Sequence, residues 1–347
     1  MSENAHLLPM EVVHQQIAIR HLEQLKDLDL PEDIPHKPLP DETSDMDSLT
    51  QGVKKTSALS KPLWPNHNPI GCYGGTAQSP INWSNVFLSF MESCATYLRD
   101  TTAVVKAVIA YRQGDIELAL EFYNASITQI KKLAAIWGMG FEMFCDLVDE
   151  HPEKHRLWDG PFCGGFYSLD KTKPFIGIGF KGTNPSRMGE VLVDWNYQFI
   201  QAESGVLFDA HVSTGVYTGL FTKFKSAPDT PMALADLAAN ISTTSSMVHV
   251  TGHSLGGSYS TLCFAELLRH SSLGQLPPKC TLGDIYTYGS PRLAQRDLGD
   301  NYVKYLKNGS SWRIVNDNDL VPQVPPVKPS SDWYLQSHQQ RNKDFQG

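Results

Sequence analysis

Hydrophobic and polar positions follow two different rhythms along this chain. Apolar residues recur at helical spacing from about Met10 to Leu28 and again from Trp83 to Val148, with a polar break at Arg112 to Asp115. After Val148 the pattern changes to short β-rich runs separated by helical ones. This alternation is typical of a sheet with helices on both faces. The pattern therefore predicts an α/β fold with a mostly parallel central sheet and an N-terminal helical extension.

The second rhythm predicts individual strands and helices. The β-rich runs are Phe175 to Phe180, Met247 to Thr251, Asp284 to Tyr288 and Trp312 to Val315. The helical runs between them are about His211 to Phe224, Pro231 to Ile241 and Gly256 to His270. Each β run ends at a turn residue followed by a loop rich in Gly, Ser, Asn or Asp. The C-terminal ends of the strands are therefore expected to gather the polar groups of a site.

A polar, Pro-rich stretch from Leu30 to about Pro80 separates the first helical run from the rest of the chain. Such a composition favours irregular structure or a linker. We therefore predict an N-terminal extension over residues 1–82, with one helix and a Pro-rich irregular segment, and one α/β domain over residues 83–347. The length of 347 residues and the hydrophobic content of 41% are sufficient for a large core.

Charge and cysteine content exclude several classes of protein. With 29 Lys and Arg against 37 Asp and Glu, the chain is acidic and has no basic run, which argues against binding of nucleic acid. The six cysteines form no C-x-x-C pair or Cys/His cluster, so no metal site and no cofactor are expected. No apolar run is long enough to span a membrane, and the first residues do not resemble a secretory signal, so we expect a cytoplasmic protein.

A G-x-S-x-G sequence, G-H-S-L-G at residues 252–256, follows directly after the β run that ends at Thr251. In such a motif a strand turns sharply into a helix at the serine, and bare glycines avoid collisions with the neighbouring strand and helix. The strand before it and the small residues after it support this geometry. The pattern therefore predicts Ser254 as a nucleophile held at the edge of the sheet.

An activated serine needs a histidine base and an acid that orients the histidine. In this kind of fold the order along the chain is serine, acid, histidine. Asp317 and Asp319 both follow the β run Trp312 to Val315, and their spacing alone leaves the two nearly equal as candidates for the acid. His249 and His253 lie upstream of the acid, so we expect both to have packing or hydrogen-bonding roles.

Four motifs in order resemble those of the class 3, or fungal-type, lipase family of α/β-hydrolases, between residues 177 and 326. F-K-G-T at Phe180 to Thr183 resembles the oxyanion loop, and T-G-H-S-L-G-G the nucleophile elbow. Y-T-Y-G-S-P-R at Tyr286 to Arg292 resembles a strand end, and N-D-N-D-L-V-P-Q-V-P-P the acid loop. The resemblance implies an α/β-hydrolase fold, and it selects Asp319 as the acid because that residue directly precedes x-Val-Pro.

The resemblance also implies roles around the serine. Thr183, through its backbone N–H together with its hydroxyl, and Leu255, through its backbone N–H, would form the oxyanion hole, and Asp194 would brace the oxyanion residue. The segment from Asn184 to Asp194 occupies the place of the family's lid. The alternatives are a turn threonine, a solvated carboxylate and an ordinary amphipathic surface helix.

His338 is the histidine that follows Asp319 in this sequence, and it is the expected base. It follows the acid at a shorter separation than is usual in the family. Family members also carry a non-catalytic histidine just after the Pro-Pro pair. His338 is therefore either the base or the counterpart of that second histidine.

Together these features imply a serine carboxylic ester hydrolase, similar to triacylglycerol lipases, that forms an acyl-enzyme on Ser254. The expected substrate is a lipid or another hydrophobic ester, with acylglycerols first, met at a lipid–water interface. One alternative is a lipase-like protein without a competent histidine that binds a lipid or a partner. Another is a phospholipase or aromatic-acid esterase. The sequence does not set the oligomeric state.

Overall fold

The structure, a computed structural model, describes residues 10–27, 83–146, 162–172, 174–182, 198–222, 245–307, 309–316, 319 and 321–323. Its strands are β1 (Met139–Asp146), β2 (Phe162–Ser168), β3 (Phe175–Phe180), β4 (Phe199–Gln201), β5 (His211–Ser213), β6 (Ser246–His253), β7 (Cys280–Tyr288) and β8 (Ser311–Ile314). Its helices are α1 (Met10–Leu25), α2 (Trp83–Ala95), α3 (Thr101–Arg112), α4 (Ile116–Ala125), α5 (Thr128–Ile136), α6 (Thr214–Tyr217), α7 (Leu255–Ser272) and α8 (Arg296–Tyr305).

A six-stranded sheet in the order β1-β2-β3-β6-β7-β8 organises the molecule, and β4 pairs with β5 in a separate two-stranded sheet. Strands β3, β6, β7 and β8 are parallel, whereas β1 and β2 are joined to β3 by antiparallel pairing. Helices α7 and α8 connect the parallel strands. This arrangement confirms the prediction of a mostly parallel sheet flanked by helices, and it puts β6 near the centre. No helix in the described ranges has the length and apolar content needed to cross a bilayer.

The first strand corrects the prediction of helices through to Val148. Gly138 has φ +72° just after α5, and the chain then continues as strand β1. Met139, Phe141 and Met143 point to one buried side, an alternation with period two that the longer helical pattern conceals. The polar break predicted at Arg112 to Asp115 is confirmed, since α3 ends and α4 begins there.

The predicted helix from His211 to Phe224 is only partly correct. The segment begins as strand β5, continues as the short helix α6, and then forms a π-helical turn at Thr218–Thr222. A left-handed turn precedes it, in which Leu207, Phe208 and Asp209 have φ values of 50°, 59° and 60°. The predicted helix from Pro231 to Ile241 lies outside the described residues.

The left-handed turn is held by contacts from two helices. Glu266 of α7 accepts a hydrogen bond from the Leu207 N–H at 2.8 Å. The ring of Phe208 stacks on Tyr305 of α8 with centroids 5.0 Å apart. Because non-glycine residues rarely adopt this conformation, these contacts offset a local backbone cost.

Helix α1 of the N-terminal extension packs against β1, α3 and α4. Ala18, Leu22 and Leu25 are buried in the cluster that also contains apolar residues of α2 and β1. His21 lies 2.5 Å from the hydroxyl of Tyr123 and is fully buried. The extension therefore supplies part of the core on this side of the sheet.

The two faces of the sheet differ in chemistry. On the face covered by α7, apolar side chains such as Val248, Val250 and Ile285 pack against Leu262 and Phe264 of that helix, and all of them are at most 2% exposed. Successive side chains of a strand point to opposite faces of the sheet. The residues directly before and after these apolar ones therefore point at α2.

The face covered by α2 carries a buried polar network. His249 of β6 lies 2.5 Å from Glu92 of α2, and both side chains are fully buried. Beside them Tyr286 donates a hydrogen bond to Asp284 at 2.6 Å, and Thr251 donates one to the Ser89 carbonyl at 2.9 Å. These hydrogen bonds connect α2 to β6, and the Tyr286–Asp284 pair of β7 lies beside them.

Candidate active site

Ser254 lies at the turn between β6 and α7, as the sequence predicts. Its backbone has φ 56° and ψ −127°, a conformation that costs about 1–3 kcal/mol for a residue with a side chain. The turn is fixed because the Ser254 N–H donates to the Tyr288 carbonyl at 2.8 Å, and its own carbonyl accepts from Gly257 at 2.9 Å. Ser254 is 3% exposed, so the nucleophile is buried rather than exposed at the protein surface.

Close backbone approach explains the glycines of the motif. A Cβ at Gly252 would lie 2.3 Å from the Gly256 carbonyl oxygen, and a Cβ at Gly256 would lie 2.5 Å from the Phe180 carbonyl oxygen. Side chains at either position would force the first turn of α7 away from β6 or β3. The glycines therefore bring the N-terminus of α7 against the end of β3, where the predicted oxyanion loop begins.

Asp319 lies in the loop after β8. Its carboxylate oxygen Oδ1 accepts a hydrogen bond from the Val321 N–H at 2.9 Å, and its own N–H donates to the Asn316 carbonyl at 3.0 Å. The other oxygen, Oδ2, borders Gly289, where a Cβ would lie only 2.6 Å away. Gly289 follows Tyr288, whose carbonyl holds Ser254. The loop after β7 therefore lies between the serine and the acid.

Arg313 of β8 fastens the acid loop to the loop after β7. Its guanidinium donates to the Pro322 carbonyl at 2.8 Å and to the Ser290 carbonyl at 2.9 Å. Burial lowers the pKa of Arg313 to about 10, the positive charge of Arg292 acts in the same direction, and the negative charge of Asp319 opposes both. The acid is thus held by backbone hydrogen bonds and by a neighbouring cation.

His253, directly before Ser254, has the hydrogen-bonding role that the sequence predicts. Its Nδ1 lies 3.0 Å from the hydroxyl of Tyr97, which follows α2, and the two rings meet edge to face at 5.8 Å. Burial lowers the pKa of His253, and the negative charge of Asp319 opposes that shift. The histidine therefore lies within electrostatic reach of the acid.

The end of β3 lies against the same tyrosine. A Cβ at Gly182 would lie 2.5 Å from the Tyr97 hydroxyl and 2.5 Å from the His253 carbonyl oxygen. The ammonium of Lys181, a buried residue, lies 5.6 Å from the centre of the Tyr97 ring. Tyr97 thus contacts both the elbow and the strand end that leads to the oxyanion loop.

Three of the six predicted site residues are described, and they lie around one edge of the sheet. Ser254 is at the elbow, Leu255 is the first residue of α7, and Asp319 follows β8. The N–H of Leu255 is the first of α7, where the helix offers it no carbonyl partner. Thr183, Asp194 and His338 lie outside the described residues, as does the predicted lid from Asn184 to Asp194.

Sequence reasoning missed Tyr97, Lys181 and Gly289 as parts of this site. Tyr97 belongs to the helical first half of the chain, in which no family motif was recognised. Lys181 and Gly289 lie inside recognised motifs, where they could have been singled out. Among the described residues, no group of three or more His, Cys, Asp or Glu side chains is arranged to hold a metal ion.

Comparison with known proteins gives a family match for part of the chain. The family described as lipase (class 3) matches residues 177–328, just under half of the chain. The secreted mono- and diacylglycerol lipase 1 of Fusarium solani is 29% identical over 166 residues, which are 47% of this chain and 43% of that protein. A triacylglycerol lipase of Nicotiana tabacum is 41% identical over 78 residues, which are 22% of this chain and 13% of that protein.

The chain thus aligns with less than half the length of these curated relatives. Among solved structures, lipase II from Rhizopus niveus has a TM-score of 0.43 and 22% sequence identity, covering 71% of this chain and 77% of that one. The family match spans the four motifs, and within it lie the elbow at Ser254 and the acid loop at Asp319. Residues 177–328 therefore match the class 3 lipase family, and the match includes both the serine elbow and the acid loop.

Proposed function

We propose that this protein is a serine carboxylic ester hydrolase that acts on acylglycerols through an acyl-enzyme on Ser254. One observation carries the proposal: the serine occupies a strained turn at the N-terminus of α7, with an aspartate loop on the other side of Gly289. An idle serine in a glycine-rich turn has no reason to adopt φ 56°.

The geometry supports a two-step reaction. The Ser254 oxygen attacks the carbonyl carbon of the ester while its proton passes to a histidine base, and the resulting tetrahedral intermediate releases the alcohol. Water then attacks the acyl-enzyme and returns the serine to its hydroxyl form. The N–H groups in the first turn of α7 carry partial positive charge, so they stabilise the oxyanion on the side of Leu255.

The remaining roles follow the family motifs. We assign the base to His338, the second oxyanion donor to Thr183, and the brace of that donor to Asp194. Asp319 holds the protonated base through its carboxylate, as the acid of a triad does. Thr183→Ala removes the hydroxyl but keeps the backbone N–H, and it is expected to lower kcat more than it raises KM, because the lost hydrogen bond belongs mainly to the transition state. A change in KM alone would make Thr183 a binding residue.

The proposed substrates are acylglycerols presented at a lipid–water interface. The names of the two curated relatives, a mono- and diacylglycerol lipase and a triacylglycerol lipase, support this class. Hydrolysis of mono-, di- and triacylglycerols of several chain lengths, each measured below and above the concentration at which an emulsion forms, identifies the preferred ester. A preference for a phospholipid or an aromatic-acid ester in the same panel would replace the acylglycerol assignment.

Covalent labelling tests the nucleophile directly. A fluorophosphonate should modify the natural chain at Ser254. Ser254→Ala should abolish this labelling and lower the rate of ester hydrolysis by at least about a thousandfold. Ser272→Ala is a matched control, because Ser272 lies at the exposed end of the same helix. Labelling that persists in Ser254→Ala would overturn the assignment.

The test of the base separates an enzyme from a lipase-like binding protein. His338→Ala should reduce kcat about as much as Ser254→Ala does, since members of a triad act as a unit. If the natural chain hydrolyses esters only feebly and His338→Ala changes nothing, the protein is a scaffold that binds a lipid or a partner without turnover.

A further inference from the structure

His253 is the point at which three parts of the active site meet. It is the last residue of β6, its ring contacts Tyr97 after α2, and its carbonyl oxygen lies where a Cβ at Gly182 would come within 2.5 Å. The family motif requires only a small turn around the serine, so the motif itself does not explain why the ring is enclosed in this way.

The far side of the ring faces the acid. A Cβ added at Gly289 would lie 2.6 Å from Asp319 Oδ2 and 3.7 Å from His253 Nε2, so the two groups border the same small space. Gly289 has φ +57° and no side chain, so no Cβ of its own enters this space. A hydrogen bond, direct or through one water, can bridge this space between the carboxylate and the imidazole nitrogen.

The Tyr97 contact can fix which nitrogen carries the proton. Burial lowers the pKa of His253 and so favours a neutral ring. When the Tyr97 hydroxyl donates to Nδ1, the neutral ring has its proton on Nε2, the nitrogen that faces Asp319. Other charged groups near this unit are Lys181, which lies against the Tyr97 ring, and Arg313, which fastens the acid loop.

We propose that His253 is a positioning residue: it donates its Nε2–H towards Asp319 and is held in that tautomer by Tyr97. The inference rests on the proposed hydrolase function and deepens it. Asp319 is then oriented by a side-chain donor as well as by the Val321 N–H, while Tyr97 ties the same unit to the end of β3. Asp319 and the end of β3 are thereby kept in a fixed relation to each other.

Substitution of His253 by asparagine and by glutamine separates the roles of its two ring nitrogens. His253→Asn keeps a polar atom near the position of Nδ1 but none near Asp319, whereas His253→Gln can place an N–H donor near the position of Nε2. We expect His253→Asn to lower kcat by about 10- to 100-fold with little change in KM, and His253→Gln to retain most of the activity. Equal losses in both variants, or no loss in either, would overturn the proposal.

The pH dependence of kcat/KM gives a readout that a packing role would not change. Without the Nε2–H donor the negative charge of Asp319 is less neutralised, so the pKa of the triad base rises. The acid limb of the profile should therefore move to higher pH in His253→Asn and stay in place in His253→Gln. An acid limb that does not move in His253→Asn contradicts the proposed bond.

A conservative variant keeps the test decisive if His253→Asn fails to fold. Tyr97→Phe removes only the hydroxyl that fixes the tautomer, so it should lower kcat and add little when combined with His253→Gln. Additive effects would show that Tyr97 acts independently of His253. Fluorophosphonate labelling of the natural chain separates the two proposals: absence of labelling rejects the proposed function, whereas labelling with unaltered His253 variants rejects only the positioning role.

Discussion

The two faces of the central sheet solve the same packing problem with different chemistry. Under α7, Val250 and Ile285 pack with Phe264 in an apolar layer. Under α2, the next residues along the same strands build a hydrogen-bonded network around Glu92 and His249. Among the described residues, the buried histidines and carboxylates all lie on this second side: His21, Glu92, His249 and Asp284.

The difference separates two tasks. The apolar face seats the helix that carries Ser254 and contributes stability through non-directional contacts. The polar face fixes α2 at one register on the sheet, since hydrogen bonds are directional and an unmade one is costly when buried. Burial raises the pKa of Glu92, while the charge and hydrogen bond of His249 oppose this shift. We therefore expect the apolar face to set the total stability and the polar face to set its response to pH.

The largest loss should come from the apolar face. Phe264→Ala removes a fully buried ring from under β6 and should lower the free energy of unfolding by about 3–5 kcal/mol. The loss should be the same at pH 5 and pH 8, as measured by urea unfolding. Leu273→Ala, at the exposed end of the same helix, is the matched control and should cost less than about 0.5 kcal/mol. A loss that depends on pH would break the comparison.

The next effect should come from separating Glu92 and His249. Glu92→Leu leaves His249 buried without its partner and should cost about 2–3 kcal/mol. Adding His249→Leu should recover part of this loss, because two apolar side chains need no hydrogen bond. A double-mutant cycle measures the coupling. If the double variant is less stable than either single variant, the pair is not the unit described above.

Acid should destabilise the protein through His21. Burial, with Arg99, Arg20 and His14 adding to it, lowers the pKa of His21 from 6.5 to about 3. At a pH between these two pKa values, the unfolded chain binds a proton that the folded chain does not. The free energy of unfolding therefore decreases as the pH falls below 6.5. Between pH 8 and pH 5 this loss amounts to about 2 kcal/mol.

His21→Gln should remove that dependence while keeping a polar contact with Tyr123. Urea unfolding at several pH values checks the slope. The raised pKa of Glu92 acts in the opposite direction: its contribution is fully present below 4.5 and is lost as the pH rises through the folded value. If the free energy of unfolding of His21→Gln decreases with falling pH as steeply as that of the natural chain, His21 is not the cause of the acid sensitivity.

The smallest effect distinguishes two glycines on the polar face of β3. A Cβ at Gly177 would lie 2.5 Å from both Glu92 oxygens and from His249 Nε2, whereas at Gly179 the nearest atom, in Phe166, is 3.0 Å away. Gly177→Ala should therefore cost about 1–3 kcal/mol and Gly179→Ala about 1 kcal/mol or less. Thermal melting of the two variants tests the order. The reverse order would mean that Glu92 and His249 move aside for a methyl group more easily than Phe166 does.

The elbow could be predicted from sequence because its parts are adjacent in the chain: a strand, a G-x-S-x-G turn and a helix follow one another around Ser254. Asp319 needed the resemblance, since Asp317 stands at nearly equivalent spacing. The polar contacts could not be predicted, because Glu92 and His249 are 157 positions apart, and Tyr97 and His253 are 156 apart.

A helical pattern indicates which side of α2 is buried, but it does not indicate the partner of a buried carboxylate. Strand β1 was missed for a related reason. Its alternation covers Met139 to Asp146 only, directly after several helices, and Gly138 gave the one local sign of a break. Strands β2 and β4 and helix α8 were not predicted either. Strand β2 pairs with both β1 and β3, and its motif-free sequence gives no sign of these partners.

The left-handed turn at Leu207, Phe208 and Asp209 opens a route to greater heat resistance. Three consecutive side chains in this conformation mean that the sequence there is not the one the backbone favours. Asparagine tolerates left-handed geometry well, and Asp209→Asn would keep an oxygen for the Gly205 N–H, now 2.7 Å from Asp209 Oδ1. The turn contacts α7 at Glu266, about three helical turns beyond Ser254, so heat resistance and catalysis can be engineered separately.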